Sequence, residues 1–419
     1  MIGNGFMGKS NSGYWKVNLA MMWLSQLMVM TGFSAAMPFI PLFFKNQIGI
    51  VDEGECGVYV SLFNFFGTLA YAVFLPIWGT LSDRFGVKIM LLRGTFVTAL
   101  IFPLMGWVQS AWLLIALRFV TAACAGTTAA SQTLIVKNTP EDKLGFALGV
   151  FSTGFWSGAM LGNVLGGLFV HYYGYESTFF FCGVLYFIAG IFVLFAREDF
   201  QAMAPQMLAQ KKNRYSSSMM PVFTISVWLT LALFILNGFV RSFEIAYPAM
   251  LIEQIAGEKF AAYWTGIISA FASVGALISG ALFGYLADRL TPWQLLLPAL
   301  LFSGILLLVQ AGAESIAGFG ISRTLMCIAG GGLQPVFQKV LSTVTPKRKR
   351  GKVFGWASTC SGIGTMAASV AAGGVIYMTN TRGVFYAAAL LTFLMIPMAY
   401  FMLKKIMEQP FYQINSRKK

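Results

Sequence analysis

A helix needs about 20 apolar residues to cross the hydrocarbon of a bilayer. This chain of 419 residues supplies runs of that length twelve times over. They fall at 17–44, 57–80, 89–109, 112–137, 144–171 and 177–197, then at 221–250, 260–283, 292–312, 315–343, 353–378 and 383–403. The one long polar stretch lies between the two sets, at 198–220, and carries Lys211-Lys212, Arg214 and Ser216 to Ser218. A soluble domain has about 25% charged residues; here 11% are charged and 57% hydrophobic, too few charges to cover a soluble surface. The expected class is an all-α polytopic membrane protein of twelve transmembrane helices. It divides into a six-helix bundle over 1–197, a cytoplasmic linker over 198–220 and a second six-helix bundle over 221–419.

The two sets repeat one another. The charged turn Gly79-Thr-Leu-Ser-Asp83-Arg84-Phe-Gly86-Val-Lys88 returns as Gly284-Tyr-Leu-Ala-Asp288-Arg289. Asp83 and Asp288 are 205 residues apart, as are Arg118 and Arg323 in the fourth helix of each set. Thr139-Pro140 and Thr345-Pro346 close those helices, and Gly149 and Gly355, then Gly158 and Gly364, follow at an offset of 206. Register held over four elements marks a parallel duplication, in which a substrate sits between two halves near the bilayer midplane.

The formal charge of +14 does not call for nucleic acid. Of 29 Lys and Arg, 22 fall in the N-terminus, alternate loops and C-terminal tail. Only Lys45, Lys259 and Arg382 fall on the opposite side, while Arg118, Arg241, Arg323 and Lys339 lie in or at the edges of spans. This is the positive-inside distribution, and it places both termini in the cytoplasm. The five cysteines form no CxxC pair and mostly sit in apolar runs, so they read as small core residues rather than disulfides or metal ligands. The single histidine, His171, stands beside Tyr172-Tyr173 and reads as part of an interfacial aromatic belt. No phosphate-binding loop of the Walker type is present, so the energy for transport must come from an ion or substrate gradient. No cofactor and no enzymatic activity are expected.

Charge inside a bilayer is costly and marks function. Glu244 is the one acid the spans leave well inside the membrane, with Arg241 three residues earlier on the same expected helical face. The pair reads either as a proton site or as a structural ion pair near the outer interface. Whether Glu244 holds a proton depends on the balance of desolvation against the neighbouring cation. Arg118 has no buried acid in its own half. Its partner must be backbone carbonyls, Glu244 across the cavity, water or an anionic substrate group. At the repeated turn, Gly79 and Gly86 are expected to permit a tight loop. Asp83 is expected to accept from a helix N-terminus of the opposite half, with Arg84 and Lys88 holding it. In the fifth helix Gly154, Gly158, Gly162 and Gly166 form a small-residue stripe. Cys360, Gly364, Ala368 and Ala372 form its counterpart in the eleventh. Such stripes let another helix approach closely, and here they suggest smooth seams on which halves rock. The 39 Phe, 22 Met and 10 Trp suit bulky apolar ligands, and equally suit lipid contact.

The turn Gly79-x-Leu81-x-Asp83-Arg84-x-Gly86-x-Lys88, its copy at Gly284–Arg289, Arg118, and Gly158-x3-Gly162-x3-Gly166-Gly167 together resemble the major facilitator superfamily. The last of these resembles the signature of its drug:proton antiporter branch. Met37-Pro-Phe-Ile-Pro-Leu42, Trp78-Gly79, Met90-Leu-Leu-Arg93 and Ser157-Gly-Ala159 are similar to a bacterial multidrug exporter of that branch. The resemblance implies a monomeric twelve-helix rocker-switch that exchanges protons for small amphiphilic molecules. In it Asp83 gates, Arg118 is linked to proton transfer and Gly158 to Gly167 form the antiport hinge. Asn163 stands where that hinge usually has proline, Thr121 and Ala122 replace a Gln-Gly pair, and the first helix lacks the usual acid. These departures move the expected proton site to Glu244. Export of a specific metabolite such as a siderophore or sugar, and proton-coupled uptake, stay open as alternatives.

Overall fold

The structure, a computed structural model, describes residues 14–140, 143–198, 224–346 and 350–409. Of the expected linker at 198–220 only Glu198 is among them. Eleven helices of the described residues are long and apolar enough to cross a membrane. One of these, Leu144–Phe195, holds two spans, because Gly174 interrupts it at φ 81°. Phe169 and Phe181 stack with ring centroids 4.3 Å apart, where straight helix would separate them by about 18 Å. The run is therefore a hairpin, α5 (144–173) and α6 (175–195). Glycine reaches the backbone region of that turn without a Cβ penalty.

The remaining spans are α1 (Tyr14–Gln47), α2 (Glu53–Phe85), α3 (Val87–Gly106) and α4 (Ala111–Asn138) in the first set. The second set holds α7 (Ile225–Ser242 and Pro248–Ala256), α8 (Glu258–Arg289), α9 (Pro292–Ala311), α10 (Ile316–Val344), α11 (Arg350–Met378) and α12 (Thr381–Met407). No strand occurs among the described residues. Lipid cannot satisfy a backbone amide, so spans of this kind must be helical.

Three spans expected as unbroken runs are discontinuous. Helix α4 breaks at Ala125-Gly126, with Gly126 at φ 113°, α10 breaks at Gly331-Gly332, and α7 loses helical form between Ser242 and Pro248. Hydropathy records that a run is apolar and is blind to such breaks. Non-helical backbone at this depth is tolerated where it lines a cavity or is buried in protein.

The small-residue stripe of α5 packs against α1. A Cβ placed on Gly158 would lie 2.6 Å from the Leu27 carbonyl and 3.2 Å from the Thr31 amide. In the second set Gly364 of α11 lies against the Ile235 carbonyl and the Phe239 amide of α7 in the same way. The stripes thus weld helices within each half, which corrects the expectation of a sliding seam along their length. The most extensive contacts between halves are α2 on α11, where Gly57 meets Ile376, and α5 on α8, where Gly167 meets Gly266.

The cores follow the same division. One large cluster joins both halves at the end remote from the termini, and includes Phe43, Phe63, Phe243, Tyr247, Phe319 and Phe385. At the end bearing the termini each half has its own core. Met22, Leu91, Leu134 and Phe151 mark the first; Leu231, Phe337, Val353 and Leu403 mark the second.

Gly158→Ala and Gly364→Ala, whose new methyl groups meet backbone, should each lower stability by roughly 1–3 kcal/mol. Gly149→Ala and Gly355→Ala, where a Cβ meets nothing within 4 Å, should leave it unchanged or slightly raised. Thermal unfolding of the four purified variants in detergent checks this, and equal shifts for all four would refute the packing described.

Candidate functional site

The hydrogen bonds that join the two sets of helices cluster toward the end remote from the termini. Lys45 Nζ pairs with Glu253 Oε2 at 2.8 Å, and Glu53 Oε1 accepts from the Thr381 amide at 2.6 Å and from Gln254 Nε2 at 2.9 Å. The Tyr247 hydroxyl meets Ser61 Oγ at 2.5 Å in a fully buried contact and donates to the Gly57 carbonyl. Asn163 Nδ2 donates to the Ser269 carbonyl and to Ser273 Oγ, both at 3.1 Å. His171 Nδ1 lies 3.0 Å from the Lys259 carbonyl, so it ties α5 to α8 as well as joining Tyr172 and Phe260 in an aromatic cluster. Toward the other end α2 is largely uncovered: seven of the ten residues 71–80 are exposed, Tyr71, Ala72 and Val73 in succession. The bundle is sealed at one end and parted at the other.

Beside the Tyr247–Ser61 contact lies a small pocket of about 50 Å³, lined by Ser61, Asn64 and Thr68 of α2, Ser242, Phe243 and Tyr247 of α7 and Thr365, Ser369 and Ala372 of α11. None of the charged residues of the spans is in its lining. Arg323 Nη1 donates to Glu244 Oε2 at 2.6 Å, and both side chains are buried. The Arg241–Glu244 pairing that their spacing suggested is not formed, because α7 stops being helical after Ser242 and the three-residue register no longer holds. Arg241 is exposed within the parted bundle, and its Nη1 donates to the Gly330 carbonyl at 2.6 Å. Arg118 lies in α4 beside Gly67, its guanidinium carbon 5.4 Å from the ring centroids of both Phe33 and Phe63. Its Nε is buried without a hydrogen-bond partner, and among the described residues no ion pair reaches it.

Two of the three breaks, those in α4 and α10, are answered by a side-chain donor. Trp78 Nε1 donates to the Ala123 carbonyl at 2.6 Å, and Arg93 Nη2 to the Cys124 carbonyl at 3.0 Å, while the Arg93 guanidinium lies 3.3 Å over the Trp78 ring. Arg241 serves the broken end of α10 likewise. Carbonyls at a helix C-terminus carry partial negative charge and attract cations. Arg93, which its position near a span edge placed with the loop charges, instead reaches the break in α4. The breaks themselves had a sequence signal, the glycines at 126 and at 330–332.

The repeated turn is built differently from expectation. Gly86, at φ 95°, makes the turn, whereas Gly79 and Gly284 sit inside α2 and α8, and a Cβ on either meets nothing within 4 Å. Lys88 Nζ donates to the Leu194 carbonyl, and Glu198 receives the Val87 and Lys88 amides at 2.8 Å each, capping α3 from the end of α6. Arg84 and Arg289 stack on Phe85 and Tyr285 at 5.3 and 4.2 Å. The Asp83 and Asp288 side chains, and with them the expected clasp, lie outside the described residues. In α5, Gly154, Gly158, Gly162 and Gly166 face α1, so only Asn163 and Gly167 of the antiporter stretch reach the other half. No cluster of His, Cys, Asp and Glu suited to a metal occurs among the described residues.

A helical bundle sealed at one end, parted at the other and charged between is the architecture of a secondary transporter. The chain belongs to the Major Facilitator Superfamily, whose family model matches residues 22–309 and 265–415. It is 30% identical over 377 residues to the multidrug resistance protein MdtG of Klebsiella pneumoniae (strain 342), covering 90% of each chain. With MdtG of Escherichia coli O6:K15:H31 (strain 536 / UPEC) it shares 30% over 378 residues, 90% of this chain and 91% of the other. Among solved structures it resembles the nucleoside transporter NupG, with a TM-score of 0.72, 12% identity and coverage of 92% and 99%. A bacterial homologue of the human lysosomal transporter Spinster, inward-facing and occupied, gives a TM-score of 0.71 at 14% identity over 98% of each chain. The protein is thus a multi-pass membrane transporter and not an enzyme.

Arg323→Gln leaves the Glu244 carboxylate buried without its partner and should cost roughly 3–5 kcal/mol, as breaking buried pairs does. Adding Glu244→Gln should recover most of that loss. Thermal unfolding of the single and double variants measures it, and a double variant no more stable than Arg323→Gln would contradict the pairing.

Proposed function

We propose that this protein is a proton-coupled exporter of small amphiphilic compounds, working by alternating access as a monomer in the bacterial cytoplasmic membrane with both termini inside. The naming of its relatives as multidrug resistance proteins and the positive-inside charge pattern support this reading. The two halves, 1–197 and 221–419, rock against one another, and 198–220 links them. In this orientation the parted end faces the cytoplasm and the sealed end faces outward.

The observation that carries the proposal is the placement of Glu244 and Tyr247 on one short non-helical segment of α7. Glu244 holds Arg323, and Tyr247 closes the outer seal on Ser61. A proton on Glu244 Oε2 removes the acceptor that Arg323 uses and frees the segment to move. The same movement withdraws the Tyr247 hydroxyl from Ser61 and Gly57. Proton binding and outer opening are thereby coupled through backbone only three residues long. Arg241 and Arg118 line the path that a substrate leaves or enters. At the cytoplasmic end Asp83 and Asp288, with Gly79, Arg84, Gly86, Lys88, Gly284 and Arg289 around them, act as the gate that closes when the outer seal opens.

In proteoliposomes carrying an imposed pH gradient, wild-type protein should move fluorescent amphiphiles against their gradient. Glu244→Gln should retain exchange without the gradient and lose the gradient-driven part. Unimpaired gradient-driven movement by Glu244→Gln at normal expression would overturn the proton assignment. In single-cysteine reporters, Tyr247→Phe should raise labelling at the outer seal, and Asp83→Asn should shift labelling toward the cytoplasmic opening. Unchanged labelling in both would count against the two gates.

A further inference from the structure

The seam between α5 and α8 is fastened at successive levels. Deepest, the Asn163 amide donates to the Ser269 carbonyl and to Ser273 Oγ. Above it Gly167 lies against Gly266 and the Ala262 carbonyl, too close to admit a Cβ. Val170 then shares a buried apolar cluster with Phe39, Ala261 and Ala262. Outermost, His171 Nδ1 reaches the Lys259 carbonyl at 3.0 Å. His171 is the only histidine in the chain and, among the described residues, the only titratable side chain that bonds across this seam. It is half-buried, so outside protons reach it.

A carbonyl oxygen only accepts, so the contact needs a proton on Nδ1. A neutral imidazole has one N–H and must keep it there to hold the contact, whereas the imidazolium carries both. The bond from the charged ring is also charge-assisted and stronger. The surrounding rings act in the same direction. Phe260 of α8 stacks on the imidazole at 5.7 Å, Tyr263 of α8 lies at 5.8 Å, and Tyr172 of α5 meets it at 4.8 Å. Aromatic faces within about 6 Å attract a cation.

The other titratable groups around the seam do not reverse this. Tyr172 and Tyr173 share the helix of His171, and Glu258, Lys259 and Tyr263 lie on α8. Glu258 and Lys259 bring opposite charges on adjacent exposed residues, which water screens. Lys45 of α1 and Glu253 of α7 are paired with each other. Beyond the turn, Tyr175 accepts from Asn46 and Glu176 from Gln47. His171 stands in the last turn of α5, where a cation is favoured, and faces the first turn of α8, where it is not, so the two helix ends offset one another.

The contact exists only while the outer ends of α5 and α8 are together. The joined form therefore holds the ring proton more tightly than the parted form, and by reciprocity the proton favours the joined form. Acid outside shuts this end, and the effect fades as the pH rises.

We propose that His171 is a proton-operated brake on the outer seal, holding the two halves together there when the outside is acid. This rests on the reading of that end as sealed and outward-facing. The brake opposes the proton on Glu244, so export slows again once the outside becomes strongly acid.

The test uses the full-length chain with its five cysteines replaced and spin labels on Ser110→Cys and Ala317→Cys, exposed positions at the outer ends of α4 and α10 in opposite halves. Distances are recorded in lipid nanodiscs from about pH 8 to about pH 5, the range over which imidazoles charge. Glu244→Gln is present throughout and removes the other proposed proton site. Acidification should raise the ratio of closed to open outer ends by about threefold to tenfold. His171→Gln keeps an N–H donor that cannot titrate, and should abolish the response. His171→Arg carries a fixed charge, and should keep the closed ratio high at every pH. With Glu244 restored, export by His171→Gln relative to wild type should grow as the outer side of proteoliposomes is acidified. An unchanged pH response in His171→Gln, opening on acidification, or a constant export ratio overturns the brake and leaves the seal standing. A label distance that varies in no variant and at no pH overturns the seal itself, and the brake with it.

Discussion

The hydrocarbon of a membrane offers no water to an amide, a carbonyl or a charge, and every unusual feature of this protein is an answer to that. Continuous helix answers it along most of each span. At two of the three places where helix fails, a side chain takes over. Trp78 and Arg93 hold the carbonyls exposed at the break in α4, and Arg241 holds Gly330 at the break in α10. Glu198 receives the free amides at the start of α3. Glu244 and Arg323 answer each other. Arg118 stands outside this accounting, its Nε buried without a hydrogen-bond partner.

The duplication explains both the symmetry and the place where symmetry fails. Two copies of one six-helix unit retain equivalent arginines in α4 and α10, equivalent welds of α1 on α5 and α7 on α11, and equivalent breaks in their fourth helices. A carrier needs its halves alike enough to rock about a common site, yet a ligand without twofold symmetry needs unlike walls. The acid on α7 and the aromatic and apolar residues on α1 supply that difference.

Much of this was legible in the residues. Hydropathy and the 205-residue repeat yielded twelve spans in two sets, because both rest on long runs and on register, which tertiary structure leaves unaltered. The intramembrane arginines and Glu244 were equally visible, since charge among apolar residues has few readings. Their partners were not. Spacing put Glu244 beside Arg241 on the assumption of continuous helix, and the non-helical backbone after Ser242 turned it to Arg323. The stripe of α5 announced close approach without saying to what, and α1 rather than the opposite half proved to be the neighbour. Lys45, Glu53 and Glu253 read as ordinary loop-edge charges, because no local pattern links residues about two hundred positions apart.

The division of the apolar interior into one shared core and two separate ones has a consequence for energy flow. Parting the halves at the end that bears the termini leaves each half's own core intact. Parting them at the remote end must split the cluster that holds Phe43, Phe63, Phe243, Tyr247, Phe319 and Phe385 and wet its faces. Hydrophobic burial therefore acts as a return spring, with the form closed at the remote end as the position of rest. Opening that end extends the spring, and closing it lets the cluster re-form without further input.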